Sequence, residues 1–235
     1  MLGVLVNAGT VILGTLIGLI FKKGIPEKLI NAVMTAVGLC VVFIGISGSL
    51  DGKNVLAVII TMALGALIGT LINIDGALNR LGSFIEGKFK KDEKSGVSVG
   101  EGMVSATLLF CVGAMTVVGS LNAGISGDNT MLYTKAVLDF VSSMMLTVSL
   151  GYGVIFSVFP LIIYQGGIVL LSGLLQPVLN EVAIADLTCV GSLMILAIGL
   201  NMIKVTNIKV ADLLPGLVLS PFVTYIYTFI SGLIA

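Results

Sequence analysis

Polar residues fall along this chain in short clusters, and between the clusters lie apolar stretches of about 20 residues, the length at which a helix crosses the hydrocarbon layer of a bilayer. The pattern predicts eight spans, over approximately 2–21, 29–49, 55–74, 101–122, 131–149, 154–175, 183–203 and 208–233. The expected fold class is therefore all-α, a polytopic membrane helix bundle forming a single transmembrane domain over 1–235. Only "LGYG", Leu150 to Gly153, divides the fifth span from the sixth, which fits either a tight turn or a re-entrant feature. "MLGVLVNAGTVILG" lacks the positive segment and small-residue cleavage site of a secretory signal and reads as the first span.

Composition strengthens this picture. The chain is 57% hydrophobic and only 10% charged, with 30 glycines in 235 residues. Its mean hydropathy of +1.17 lies far outside the range of soluble domains. The net charge of zero says little, but its distribution says more. With the N-terminus outside, Lys22, Lys23, Lys28, Arg80, Lys88, Lys90, Lys91, Lys94, Lys204 and Lys209 fall on the cytoplasmic side, leaving Lys53 and Lys135 opposite. Eight spans then place both termini outside. The longest cytoplasmic connection, 75–100, sets Leu78, Leu81, Ile85 and Phe89 against Arg80, Glu86, Lys88 and Lys90, the pattern of an interfacial amphipathic helix followed by a loop, or of a plain basic loop. Nucleic acid binding has no support.

One pattern occurs three times: "TAVGLCVVFIGISGSL" from Thr35, "FCVGAMTVVGSLNAGI" from Phe110 and "TCVGSLMILAIGLNMI" from Thr188. Each copy has a Val-Gly pair, a second glycine and a polar break, and is followed by a lysine (Lys53, Lys135, Lys209) and a new span. The preceding spans also echo one another in "LGTLIG" (Leu13 to Gly18) and "LGALIG" (Leu64 to Gly69). Repeat-like units of three helices result, over about 1–74, 55–150 and 154–235, with the last inverted in the membrane. Inverted repeats are typical of secondary transporters. Gly14 with Gly18, and Gly65 with Gly69, have the small-xxx-small spacing that lets helices approach closely in lipid, within the chain or between subunits.

Two carboxylates fall inside predicted spans, Asp139 in "KAVLDF" and Asp212 in "KVADLL", while the first copy, "KNVLAV", carries Ala57 at the matching position. A charge at mid-membrane is costly and should face protein or water. Lys135 and Asp139, at i and i+4, share a helix face and can form a local ion pair. Asn122, Asn201, Gln165, Ser142 and Ser143 lie near these carboxylates, and Pro160, Pro215, Gly166 and Gly167 are expected to break helices and free backbone groups. Carboxylate, carboxamide, hydroxyl and freed carbonyl groups are what a dehydrated monovalent cation near Asp139, or a proton relay, would use. Cys40, Cys111 and Cys189 read as small buried hydrophobes, and with no histidine and no nucleophile motif neither an enzyme, a cofactor nor another metal is expected.

At "CVGAMTVVGSLNAGISGDNTMLYTKAVLDF", "FSVFPLIIYQG" and "ADLTCVGSLMILAIGLNMI" the chain resembles the YdfK/YqgA-like family of bacterial inner-membrane proteins. The resemblance implies a multi-pass protein of the bacterial cytoplasmic membrane, proposed to be transport-related, without a named substrate. Together these readings favour an ion-coupled secondary transporter of a small solute, working by alternating access in a homo-oligomer. A passive channel or pore, and a non-transporting membrane scaffold or sensor, are the alternatives.

Overall fold

The structure, a computed structural model, describes residues 1–23, 26–78, 80 and 98–234. Every regular element among them is helical: α1 (Leu2–Lys23), α2 (Glu27–Ser49), α3 (Val55–Ile72), α4 (Val99–Cys111), α5 (Ala114–Ile125), α6 (Thr130–Leu150), a 3-10 segment Gly151–Ser157, α7 (Val158–Leu170), α8 (Ser172–Leu175), α9 (Glu181–Met202), a 3-10 turn Val210–Leu213 and α10 (Pro215–Ile234). The expected amphipathic helix between Leu78 and Phe89 lies almost wholly outside the described residues.

Among the described residues, six helical stretches are long and apolar enough to cross a membrane, or seven if α4 and α5, bent by 62°, count as one. One of the six, Thr130–Leu170, runs for 41 residues. As one straight helix it would measure about 60 Å, twice the hydrocarbon thickness. It is not straight, because Gly151 takes φ 78, a left-handed value suited to glycine, and opens the 3-10 segment between α6 and α7. The Asn7 carboxamide on α1 bonds both Asp139 and Gln165. In an unbroken helix those two residues, 26 positions apart, would be separated by about 39 Å. The chain therefore turns back at 150–157, where "LGYG" predicts a division.

Glycine contacts give the sense of each packed pair. Along α1, Gly3 meets Leu132, Gly14 meets Phe140 and Ser143, and Gly18 meets Met144 and Thr147, so α1 and α6 run parallel. Along α2, Gly38 meets Met202, Gly45 meets Leu196 and Gly48 meets Ser192, so α2 and α9 run antiparallel. Gly65 and Gly69 meet Gly216 and Asp212, which makes α3 and the entry to α10 antiparallel as well. The "LGTLIG" and "LGALIG" segments thus both pack on aspartate-bearing stretches, but in opposite senses, and no rotation superposes one pair on the other.

Two helix groups result. One holds α1, α4, α5, α6 and α7; the other holds α2, α3, α9 and α10. They meet where α2 lies on α6 and where α9 lies on α4 and α5. The three-helix unit read over 1–74 is divided between the groups, with α1 in one and α2 and α3 in the other. Outward faces carry exposed Leu, Ile, Val and Phe, such as Phe43, Leu71, Ile163 and Val218, as lipid contact requires.

The α2–α9 contact is close enough to test. A methyl added at Gly45 would lie 2.5 Å from the Leu196 amide nitrogen and 2.6 Å from its Cα, and backbone cannot rotate aside. Gly45→Ala should lower stability by about 1–3 kcal/mol through overpacking. Gly167→Ala, where nothing lies within 4 Å, should leave the unfolding midpoint unchanged or raise it slightly. Thermal unfolding of the two purified variants in one detergent reads both.

Candidate functional site

Asp139 is the tenth of the 21 residues of α6, the middle of a membrane-length helix, and is only 5% exposed. Its Oδ2 accepts from the Lys135 ammonium one turn earlier, at 2.5 Å, and from Asn7 Nδ2 of α1 at 2.9 Å. The same Asn7 nitrogen lies 3.4 Å from Gln165 Oε1 of α7, to which it also donates. Asn7 and Gln165 are fully buried and Lys135 is 6% exposed. Three helices therefore bring two carboxamides, an ammonium and a carboxylate together inside an apolar bundle.

The ion pair follows from spacing, since i and i+4 share a face and the two partners neutralise each other without water. The carboxamides follow from chain path. Parallel packing of α1 on α6 brings Asn7 beside the Lys135–Asp139 turn, and the reversal at 150–157 returns α7 with Gln165. Satisfaction is incomplete: Asn7 Oδ1 and Gln165 Nε2 are buried and have no hydrogen-bond partner. An orphaned buried polar atom costs about 1–3 kcal/mol, so two at one point mark a place where the fold has not been arranged for stability alone.

The true helix break is nearby. The α4 helix ends at Cys111, Val112 is extended, and Gly113 takes φ 122, which a side chain would strain, before α5 begins. The Thr116 hydroxyl donates to the Phe110 carbonyl freed there, at 3.1 Å. Cys111 is close enough to feel the charges of both Lys135 and Asp139. Val112 seats on Gly191 of α9, so two of the three Val-Gly copies touch each other across the seam between helix groups.

None of the expected residues interrupts the α-helix that holds it. Pro160 is the third residue of α7 and Pro215 the first of α10, positions whose amides have no intrahelical acceptor, so neither proline costs a hydrogen bond. Helix α7 runs unbroken through Gly166 and Gly167. Pro221 is the proline that stands inside a helix.

The other sequence-derived residues separate by role. Ser143 is fully buried against Gly14 and donates to the Phe140 carbonyl, which is packing, while Ser142 is exposed on the far face of α6. Asn122 is half-buried in the last turn of α5, where its carbonyl accepts from Ser126. Asn201 closes the turn after α9: its Oδ1 accepts from the Thr206 hydroxyl and the Ile208 amide, and its Nδ2 donates to the Ile208 carbonyl. Asp212 sits in the 3-10 turn before α10 and accepts from the Asp75 amide at 2.9 Å. It ties the entry of α10 to the exit of α3 and does not share the Asp139 cluster.

One buried carboxylate gives no sign in the repeat pattern. Asp186, six residues into α9 and fully buried, accepts from the Lys53 and Asn54 amides at 2.8 and 3.0 Å, from Asn54 Nδ2 at 3.0 Å and from the Thr224 hydroxyl at 3.0 Å. It caps the start of α3 from a neighbouring helix, complementing the positive end of the helix dipole. Outside the spans, Asp128 accepts from Thr130 at the start of α6, and this bonding holds its carboxyl below the usual range.

A cavity of about 300 Å³ lies in the seam, between the first turns of α4 (Glu101, Val104, Ser105), the end of α9 (Ile198, Asn201, Met202) and the 207–211 stretch with Lys209; Asp75 completes its rim. No three His, Cys, Asp or Glu residues gather in a metal-binding group among the described residues.

Residues 2–225 match the family model described as "Protein of unknown function (DUF554)". The chain belongs to this family. Relatives of the DUF554 chain include the "Uncharacterized membrane protein YdfK" of Bacillus subtilis (strain 168), 33% identical over 230 residues and covering 96% of both chains. The "Uncharacterized protein YqgA" of Escherichia coli (strain K12) is 29% identical over 221 residues, 93% of this chain and 94% of that one. No solved structure matches the DUF554 chain. Helical architecture, lipid-facing surface and relatives together make it a membrane protein.

Proposed function

We propose that this DUF554 protein is an ion-coupled secondary transporter of a small solute in the bacterial cytoplasmic membrane. The observation that carries the reading is the Asn7–Lys135–Asp139–Gln165 cluster: charged and carboxamide groups at the middle of a membrane-length helix, with two orphaned polar atoms, beside a broken helix. The buried carboxylate of Asp186 is saturated by four donors; in this cluster both carboxamides keep an open polar atom beside a charged pair. Intramembrane ionisable groups of that kind mark ion pathways.

On this reading the two helix groups would be the moving parts. Rocking of the α1–α6–α7 group against the α2–α3–α9–α10 group would open the seam alternately, and the seam cavity offers room for a small solute. That cavity lies on the side of Lys204 and Lys209, which the charge asymmetry assigns to the cytoplasm. Counting α6 and α7 as separate passes and α4–α5 as one gives eight crossings, both termini outside, and a homo-oligomer would cover part of the exposed apolar surface. The sequence correspondence of "KAVLDF" and "KVADLL" fits an inverted ancestry, although one copy now carries the ion site and the other ties helices together.

The test uses proteoliposomes of the full chain, bathed in a filtered bacterial small-molecule extract under an imposed sodium or proton gradient, with lumenal contents read by mass spectrometry. Saturable, gradient-driven accumulation of a solute, lost in Asp139→Asn, is expected. Unitary conductance in planar bilayers without accumulation would replace the transporter by a pore.

A further inference from the structure

Resting on the reading of Asp139 as an ion site, we propose that Asp139, Asn7 and Gln165 hold one dehydrated alkali-metal cation, and that the Lys135 ammonium is a tethered occupant which this cation displaces.

Charge comes first. The cluster offers a single carboxylate, and the other titratable groups about it are the Cys111 thiol at the end of α4 and the Tyr164 phenol on α7, which lies near that thiol. From α1 it is faced by Asn7, an uncharged side chain. One negative charge matches one monovalent cation, whereas a divalent ion would be left with uncompensated charge in an apolar bundle. The donors are hard oxygens, which suit alkali ions and not thiophilic metals.

Geometry comes second. Asn7 now turns its Nδ2 toward Asp139 Oδ2 and Gln165 Oε1, and its own Oδ1 is fully buried without a partner. Turning the carboxamide over would bring Oδ1 to about the same position, 2.9 Å from the carboxylate oxygen and 3.4 Å from the glutamine oxygen. Three oxygens so placed repel one another unless a cation sits among them. With Lys135 on Asp139, nitrogen must face inward; with a metal ion in its place, oxygen must. The orphaned Oδ1 is therefore the unused ligand of the second state.

Lys135 has a way out. It is the sixth residue of α6, near the helix end, and its long stem lets the ammonium reach the interface when released. Occupancy by the cation and burial of Lys135 are then mutually exclusive, which makes the lysine a latch at one end of the α1–α6 contact.

The experiment is thermal unfolding of the purified full chain in detergent with LiCl, NaCl or KCl, each against choline chloride at equal ionic strength. At least one alkali cation is expected to raise the midpoint saturably. Lys135→Met should lower the concentration needed by about ten-fold or more, the gain expected when a latched state holding nine-tenths of the population is removed. Lys135→Arg, which keeps a permanent competing charge, should weaken the response, and Asn7→Leu should abolish it. If choline and all three alkali cations act alike on wild type and on Lys135→Met, the proposal is overturned. It is overturned equally if Asn7→Leu retains the wild-type response, or if calcium or magnesium at tenfold lower concentration replaces the alkali ion. Solute counterflow without any ion gradient is measured in parallel. Counterflow with no alkali response overturns the cation site and leaves the transporter reading standing; an alkali response with no counterflow does the reverse.

Discussion

Asp139→Ala is expected to destabilise the fold by about 3–5 kcal/mol, the cost of leaving one member of a buried ion pair without the other. The Lys135 side chain, 6% exposed in the intact cluster, would be left without its carboxylate and would have to give up its packing to carry the ammonium to the interface. Asn7 would lose its ionic acceptor at the same time and keep only the longer contact to Gln165. The decisive companion is Lys135→Met combined with Asp139→Leu. Replacing both partners removes the buried charge altogether, and most of the lost stability should return, or more than all of it. Reversible unfolding in mixed micelles, read by tryptophan-free circular dichroism because the chain has no tryptophan, gives the three values. If the double variant is no more stable than Asp139→Ala, the pair does not act as an isolated neutralising unit.

Asp186→Ala is expected to cost about 1–3 kcal/mol, since it leaves the buried Thr224 hydroxyl of α10 and the partly buried Lys53 and Asn54 donors at the start of α3 without their acceptor. Asp186→Asn, which keeps one acceptor oxygen, should recover a large part. Transport should track folded protein in both variants, because this carboxylate ties helices together and is already saturated. Hydrogen exchange should show the loss first at Lys53 to Val58, the turn that Asp186 caps.

The contrast between these two aspartates explains what was legible in the sequence. The helical class and the membrane-length apolar helices were legible because lipid imposes one length and one polarity on every crossing helix. The Lys135–Asp139 pair was legible because its spacing is local. Gln165 stood out as a carboxamide in an apolar run that needed a partner. Asn7 did not, because its partners lie 132 and 158 residues further along the chain and no local pattern announces them. Asp186 was hidden for the same reason: its donors lie more than a hundred residues before it and 38 after. Proline misled because its effect depends on position within a helix. Pro160 and Pro215 occupy first turns, where no amide is missed, while the actual break falls at Val112–Gly113, inside a motif that stays helical at Val190–Gly191 in its third copy.

The parallel packing of α1 on α6 also fixes an order of events during synthesis. Helix α1 emerges from the ribosome before the helices that hold its partners, at a rate of about 5–20 residues per second, and carries the Asn7 carboxamide near its start. Its acceptors on α6 and α7 are made only after α2, α3, α4 and α5 have been laid down. Until Asp139 enters the membrane with α6, Asn7 must be sheltered by the insertion machinery or by water at the bilayer surface. Helix α1 thus reaches its final place well after later helices are made, and a nascent chain stalled before α6 would be recognisable to quality control by an asparagine still facing lipid.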